Sequence, residues 1–412
     1  MKILHLNKSD INGGAARAAY RIHHALKKSN IDSCMKVDHK SSGDWTVQKS
    51  HGLTLELRVK INQLLSKIIG LLLKTNNPII HSLSLFSAGK VAEINNSDMD
   101  IVHLHWVQGE MLSIVEISKI KKPIVWTLHD MWAFCGAEHY TFDERYMSAY
   151  SKNNRSSYEQ GVDINRWIWS RKKKYWKEPI HIVTPSHWLA ECVKQSALMR
   201  DWPVSVIPNA INTDSWLPID KIEARRLLNL PSNKKLLLFG AMGGENDPRK
   251  GFDLLLIALQ QLKKNRIDIE LIVFGQLEPE KPFDLGLSVH YMGYVHDDVS
   301  LRLLYSAADI MLIPSRQDNL PNTGVESLAC GTPVVAFNIC GLPDIVKHMQ
   351  TGYLAEAFKV DDFVKGILWI LEDEERQEYL SQNARQYAVN TFSSLKVAEK
   401  YKAVYESIVG KK

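Results

Sequence analysis

Two acids, Asp318 and Glu326, stand with seven residues between them in the stretch SRQDNLPNTGVESLACGTPVVAF, residues 315–337. Asp318 follows the apolar run DIMLIPS, which reads as a strand, and Glu326 falls inside a helix expected to begin near Asn322. Backbone N–H groups of Leu320, Asn322 and Thr323 gather at that helix start, while Pro321 has none to give. A helix start carries partial positive charge and unpaired donors, and so suits a phosphate. An acid before it and an acid one turn into it would bracket the phosphate, each able to accept hydrogen bonds from a ligand's hydroxyls. The plainer alternative is an acid that stabilises a helix end, followed by a solvent-facing Glu326.

Three other stretches could do chemistry. In GAMGGENDPRKGFDLLL (240–256), Arg249, Lys250 and Gly251 immediately precede a helical pattern. Two cations at a helix start oppose the macrodipole unless an anion sits there too, which suggests a phosphate or diphosphate clamp. A solvated pair at a loop tip is the alternative. In KILHLNKSDINGGAARAAYRIHHAL (2–26), Gly13 and Gly14 separate a strand from a helix. Paired glycines let backbone approach a ligand closely, but the spacing is not GxGxxG, and a tight turn would use the same residues. In TLHDMWAFCG (127–136), His129 and Asp130 close a strand, where a histidine can act electrostatically or as an acid or base. A hydrogen-bonded structural histidine is the alternative. His103 and His105 alternate with Val102 and Leu104 and read as packed. Asp98 and Asp100 form a DxD string, but at the start of a strand, where no other motif falls.

These residues need elements to hold them. Apolar runs at 2–6, 101–106, 124–128, 180–184 and 204–207 alternate with amphipathic stretches such as 15–26 and 188–195. After residue 215 the alternation repeats, with strands at 235–239, 270–274, 289–291, 310–313 and 333–337 and helices at 252–263, 299–308 and 323–330. Such alternation predicts two α/β domains, each a doubly wound, Rossmann-like parallel sheet, facing a cleft. The expected domains are 1–209 and 215–392, with a C-terminal helical segment, 393–412, packing back on the first. Ligands of such sheets bind beyond the carboxyl ends of the strands, where His129, Lys250 and Asp318 fall.

The composition, 45% hydrophobic and 24% charged over 412 residues, is that of a globular protein. A net charge of +5 argues against nucleic acid as a partner. Five cysteines without CxxC or Cys/His spacing argue against a disulfide framework or zinc site, and with no signal-peptide pattern suggest the cytoplasm. Two stretches raise contact with a membrane surface. Residues 53–75 are dense in Leu and Ile with Arg58, Lys60, Lys67 and Lys74, and residues 166–177 interleave tryptophans with cations. The alternatives are a helix covering the sheet and a solvated helix face.

Taken together, GGAARAA, TLHD, VTPS with VIPNAINTDSW, RKGFDLLL, VHYMGYV and the acid-x7-acid element resemble the family-4 retaining glycosyltransferases of the GT-B fold. The match covers most of the chain and is most similar to bacterial enzymes that build exopolysaccharide or O-antigen units. The resemblance implies a nucleotide-sugar donor, a glycan or lipid-linked glycan acceptor, no metal and no cofactor, at the inner face of the cytoplasmic membrane. It implies that Gly13 and Gly14 approach the donor diphosphate or reacting centre and that His129 contacts the transferred sugar. Lys250 would balance the diphosphate, Glu326 hold the ribose, and Asp318 contact hydroxyls of the donor sugar. Two departures stand out: Asp318 where the family usually has Glu, and Ala241-Met242 where it usually has an Arg, a role then assigned to Arg249. A sugar-nucleotide epimerase or phosphorylase, or a non-catalytic nucleotide-sugar-binding protein, remain the alternative readings.

Overall fold

Burial on both faces explains why the central strands read as unbroken apolar runs. In the computed structural model, which describes residues 1–50, 53–240, 247–264, 268–280 and 286–410, the chain divides into two units. One comprises Met1–Pro208 with Val397–Lys412, the other Asn209–Lys396.

The first unit is built on β1 (Lys2–Ser9), β2 (Asp32–His39), β3 (Val47–Lys49), β4 (Leu73–Thr75), β5 (Ile101–Leu104), β6 (Ile124–Thr127), β7 (Glu159–Gly161), β8 (His181–Thr184) and β9 (Val204–Val206). Seven of these form one parallel sheet in the order β3-β2-β1-β5-β6-β8-β9, while β4 and β7 pair as an antiparallel ribbon. Strand order reverses between β1 and β5, so the crevice at their carboxyl ends is a natural binding position. One face of this sheet is apolar, with Leu4, Leu6, Val102, Leu104 and Trp126 in the main core. The opposite face carries His5, His103 and Thr127, all fully buried. The C-terminal helix Ser394–Val409 packs here, its Tyr405 hydroxyl 2.7 Å from His103 Nδ1 and its Tyr401 hydroxyl 2.9 Å from Thr127 Oγ1.

The second unit holds β10 (Lys235–Gly240), β11 (Ile269–Phe274), β12 (Val289–Tyr291), β13 (Ile310–Ile313), β14 (Val334–Phe337) and β15 (Gly352–Ala355). They form one parallel sheet in the order β12-β11-β10-β13-β14-β15, whose reversal lies between β10 and β13. Every residue of β13 and β14 is buried. Separate apolar clusters pack against its two faces, one around Leu236, Leu238 and Met311 and the other around Leu237, Phe239 and Leu312.

Candidate active site

In the second unit the site forms at the carboxyl ends of the neighbouring strands β10 and β13. The turn Pro248–Lys250 precedes the helix Phe252–Lys263, and Pro314–Asn319 leads to the helix Asn322–Ala329. Gly251 makes their approach possible: its φ is +66°, and a Cβ there would lie 2.0 Å from the Pro314 carbonyl oxygen. Arg316 N donates to the Arg249 carbonyl at 2.6 Å, and the Arg316 guanidinium grips Asp253 at 2.6 and 2.5 Å.

These turns bring Lys250 and Asp318 together. Lys250 Nζ donates to Asp318 Oδ2 at 2.6 Å, and Asn319 N donates to Oδ1 at 3.1 Å. Arg249 donates to Asp247 through Nε at 3.2 Å and Nη2 at 2.6 Å. This corrects the macrodipole argument: the anions that the two cations require are carboxylates of the chain itself, so the pair alone does not demand a phosphate. The stretch 241–246, with the departure at Ala241 and Met242, lies outside the described residues.

The helix Asn322–Ala329 begins at Pro321 without a side-chain cap and with no acid in its first turn. Thr323 lines a small cavity with Lys250, Ser315 and Asp318. Leu320 is buried, and the Asn209 amide donates to its carbonyl at 3.1 Å and to Asn322 Oδ1 at 3.0 Å. Glu326 is buried, and Tyr305 donates to its Oε2 at 2.8 Å. A solvent-facing Glu326 is therefore excluded.

In the first unit, Gly13 has φ +96°, and no atom of the described residues lies within 4 Å of where a Cβ would stand. The helix Gly14–Lys28 follows with no side-chain cap and no acid in its first turn. His129 follows β6, part-exposed, and burial lowers its imidazole to about 4 against the opposing pull of Asp130. Asp130 is committed elsewhere: it accepts from His139 Nδ1 at 2.6 Å, Trp106 Nε1 at 3.0 Å and Trp132 N at 2.9 Å. Asp98 and Asp100 bind Lys2 at the amino ends of β1 and β5, away from these residues.

Sequence reasoning missed a charged triad near the end of β1, with Asp38 and Lys90 buried and Lys8 half-buried. Asp38 binds Lys90 and Lys8, the latter at 2.8 Å, and Lys8 Nζ also reaches the Gly109 carbonyl at 2.9 Å. Burial would raise the Asp38 carboxyl, but Lys90 and Lys8 outweigh it and hold it at about 2. It also misread Lys172, which belongs to the core: its Nζ donates to the carbonyls of Trp132, Cys135 and Gly136, the last at 2.7 Å. The ammonium also lies 3.7 Å from the Trp132 ring centroid, so it anchors the loop that follows His129. Trp169 and Trp176 are buried too, leaving Trp167, Lys173, Lys174 and Lys177 exposed on 166–177. In 53–75 the aliphatic side chains of Leu57, Ile61, Leu64 and Ile68 form a stripe at helical spacing that is 49–60% exposed.

Residues 12–215 match the model for Glycosyltransferase Family 4, and residues 220–387 match that for Glycosyl transferases group 1. An uncharacterized glycosyltransferase of Methanocaldococcus jannaschii is 28% identical over 56% of this chain, and the match spans 60% of that relative's length. Sucrose-phosphate synthase from Thermosynechococcus elongatus superposes with a TM-score of 0.70 at 18% identity, covering 100% of both chains. Anabaena HepE in complex with UDP-glucose gives 0.64 at 16% identity, covering 99% of this chain and 100% of that one. With a match on each unit and this architecture, the chain belongs to the family-4 glycosyltransferases of the GT-B fold.

Proposed function

We propose that the protein is a retaining, metal-independent glycosyltransferase that moves a sugar from a nucleotide-sugar donor to a lipid-linked glycan in surface polysaccharide synthesis. The observation that carries the donor reading is the juxtaposition of Lys250, Asp318 and an uncapped helix start at the strand-order reversal of the second sheet. A diphosphate placed there would draw the Lys250 ammonium and the helix N–H groups. As the sugar–phosphate bond breaks, negative charge grows on the leaving diphosphate, and these groups stabilise it. Lys250 would then release Asp318 to accept from a sugar hydroxyl, while Glu326 reads the ribose. His129, Gly13 and Gly14 act on the sugar and acceptor side. Arg249 stands in for the family's missing arginine once Asp247 lets it go.

Membrane contact at the inner face of the cytoplasmic membrane rests on the exposed stripe of the helix Leu53–Gly70, flanked by Arg58, Lys60 and Lys67. An aliphatic face bordered by cations suits the interface of an anionic bilayer. No helix among the described residues is long and apolar enough to cross a membrane.

The test is turnover of UDP-, GDP- and ADP-sugars with an undecaprenyl-linked acceptor, after EDTA treatment, with the anomeric configuration of the product read by NMR. Retention of configuration in EDTA supports the reading. Inversion, or activity restored only by a divalent cation, overturns it. Flotation with phosphatidylglycerol vesicles, lost on Leu64→Glu and Ile68→Glu, tests the membrane face.

A further inference from the structure

The polar face of the first sheet lines up imidazoles behind His129. His5 and His103 are register partners on β1 and β5, and His105 follows two residues after His103. His129 Nε2 lies 3.3 Å from His105 Nδ1, and His105 Nε2 lies 2.9 Å from His5 Nδ1. His5 Nε2, at the end of this row, is buried with no hydrogen-bond partner among the described residues.

Burial holds His5 and His105 well below the usual imidazole range, and His129 at about 4, so the row is neutral near pH 7. A neutral imidazole has one N–H and one lone pair, and each bond needs one of each. The three tautomers are therefore coupled. In one state every proton is on Nε2, the bonds run from His129 toward His5, and the row ends in a buried N–H without an acceptor. In the other every proton is on Nδ1, the bonds run from His5 toward His129, and the row ends in a bare lone pair. An orphaned buried N–H is the rarer and costlier ending.

We propose that His105 and His5 are positioning residues that place the proton of His129 on Nδ1, so that His129 meets its ligand as a hydrogen-bond donor and not as a base at that nitrogen. The proposal rests on the assignment of His129 to the sugar side of the site. A metal held by His5, His103 and His105, whose nitrogens lie within 4.8 Å of one another, is the competing chemistry. The geometry favours hydrogen bonding, because both nitrogens of His103 are engaged at 2.7 Å, by Thr127 Oγ1 and the Tyr405 hydroxyl. The set also contains no carboxylate to offset a buried dication.

The experiment labels the full chain with ¹⁵N-histidine, assigns signals by single His→Phe variants, and reads which ring nitrogen carries the proton. Protons on Nδ1 of His5, His105 and His129 are expected. His105→Leu should abolish the ordered tautomer at His129 and lower kcat about tenfold, the effect of one mis-set hydrogen bond. His105→Asn, whose amide nitrogen can reach the Nδ1 position, should restore most of the rate at equal thermal stability. A proton on Nε2 of any of the three, or zinc retained in stoichiometric amount through chelation, overturns the relay. The expected tautomers with unchanged kcat in His105→Leu would support the relay and overturn the part given to His129 in catalysis.

Discussion

At the scale of single residues, the Lys250–Asp318 contact ties together two roles that the sequence presents separately. Lys250→Ala removes the cation that would face the diphosphate and leaves a buried carboxylate without its ammonium. We expect kcat to fall about a hundredfold, because a preorganised cation acts most where charge develops. Single-turnover kinetics checks this, and a normal rate with a lower melting temperature would make Lys250 structural. If the two side chains act as one unit, Asp318→Asn in the Lys250→Ala background should be non-additive by about 0.5–3 kcal/mol, read from a double-mutant cycle on kcat/KM. Glu326 tests the second acid. Glu326→Gln keeps the size of the side chain beside Tyr305 but removes its charge, and should weaken binding of the nucleoside diphosphate by about 1.5–3 kcal/mol in calorimetry. Unchanged affinity would assign Glu326 to the packing of its helix.

At the scale of elements, the turn at Gly251 sets where Lys250 points. Gly251→Ala places a methyl against the Pro314 carbonyl in a left-handed conformation, so the two turns must part. A loss of at least about 1–3 kcal/mol in urea denaturation is expected, with donor KM raised alongside. Full stability would show that the two turns do not need their close approach. The elements that carry this site were readable because β10, β11, β13 and β14 are buried on both faces and leave continuous apolar runs. β2 was not readable: its burial alternates in DSCMKVDH, and a half-exposed strand of that composition resembles a loop. β3, β4 and β7 read VQK, LKT and EQG, with at most one apolar residue apiece, so no apolar run marks them. Lys172 was hidden by its charged neighbours, although its place four residues after Ile168 and four before Trp176 puts it on the buried stripe of its helix. Asp318, Glu326 and Lys250 are singled out by their places at strand ends and helix starts. The pairing of Lys250 with Asp318 is not, since the two lie 68 residues apart and only the β10–β13 register brings them close.

At the scale of the whole molecule, buried histidines are concentrated in one unit, and this gives the protein a predictable response to acid. His5, His103 and His105 are held well below the usual imidazole range, chiefly by burial, with His23 at about 3 and His129 at about 4. All five belong to the unit built on Met1–Pro208. An unfolded histidine takes up its proton near pH 6.5, whereas these do so only at lower pH when folded. Between those limits the unfolded state binds more protons, so stability falls as pH falls. The contribution is intact above about pH 6.5 and is lost toward pH 4, at up to about 1.4 kcal/mol per histidine per pH unit. Nine of the eleven tryptophans also lie in this unit, only Trp216 and Trp369 being in the other, so intrinsic fluorescence reports mainly on it. Urea titrations followed by fluorescence should show the midpoint moving steadily lower between pH 6.5 and 4. His103→Gln and His5→Gln should each flatten that dependence, because an amide in place of the imidazole removes one titrating group. A midpoint that stays fixed over this range would mean that the row takes up protons while folded, and the neutral hydrogen-bonded row behind His129 would have to be abandoned.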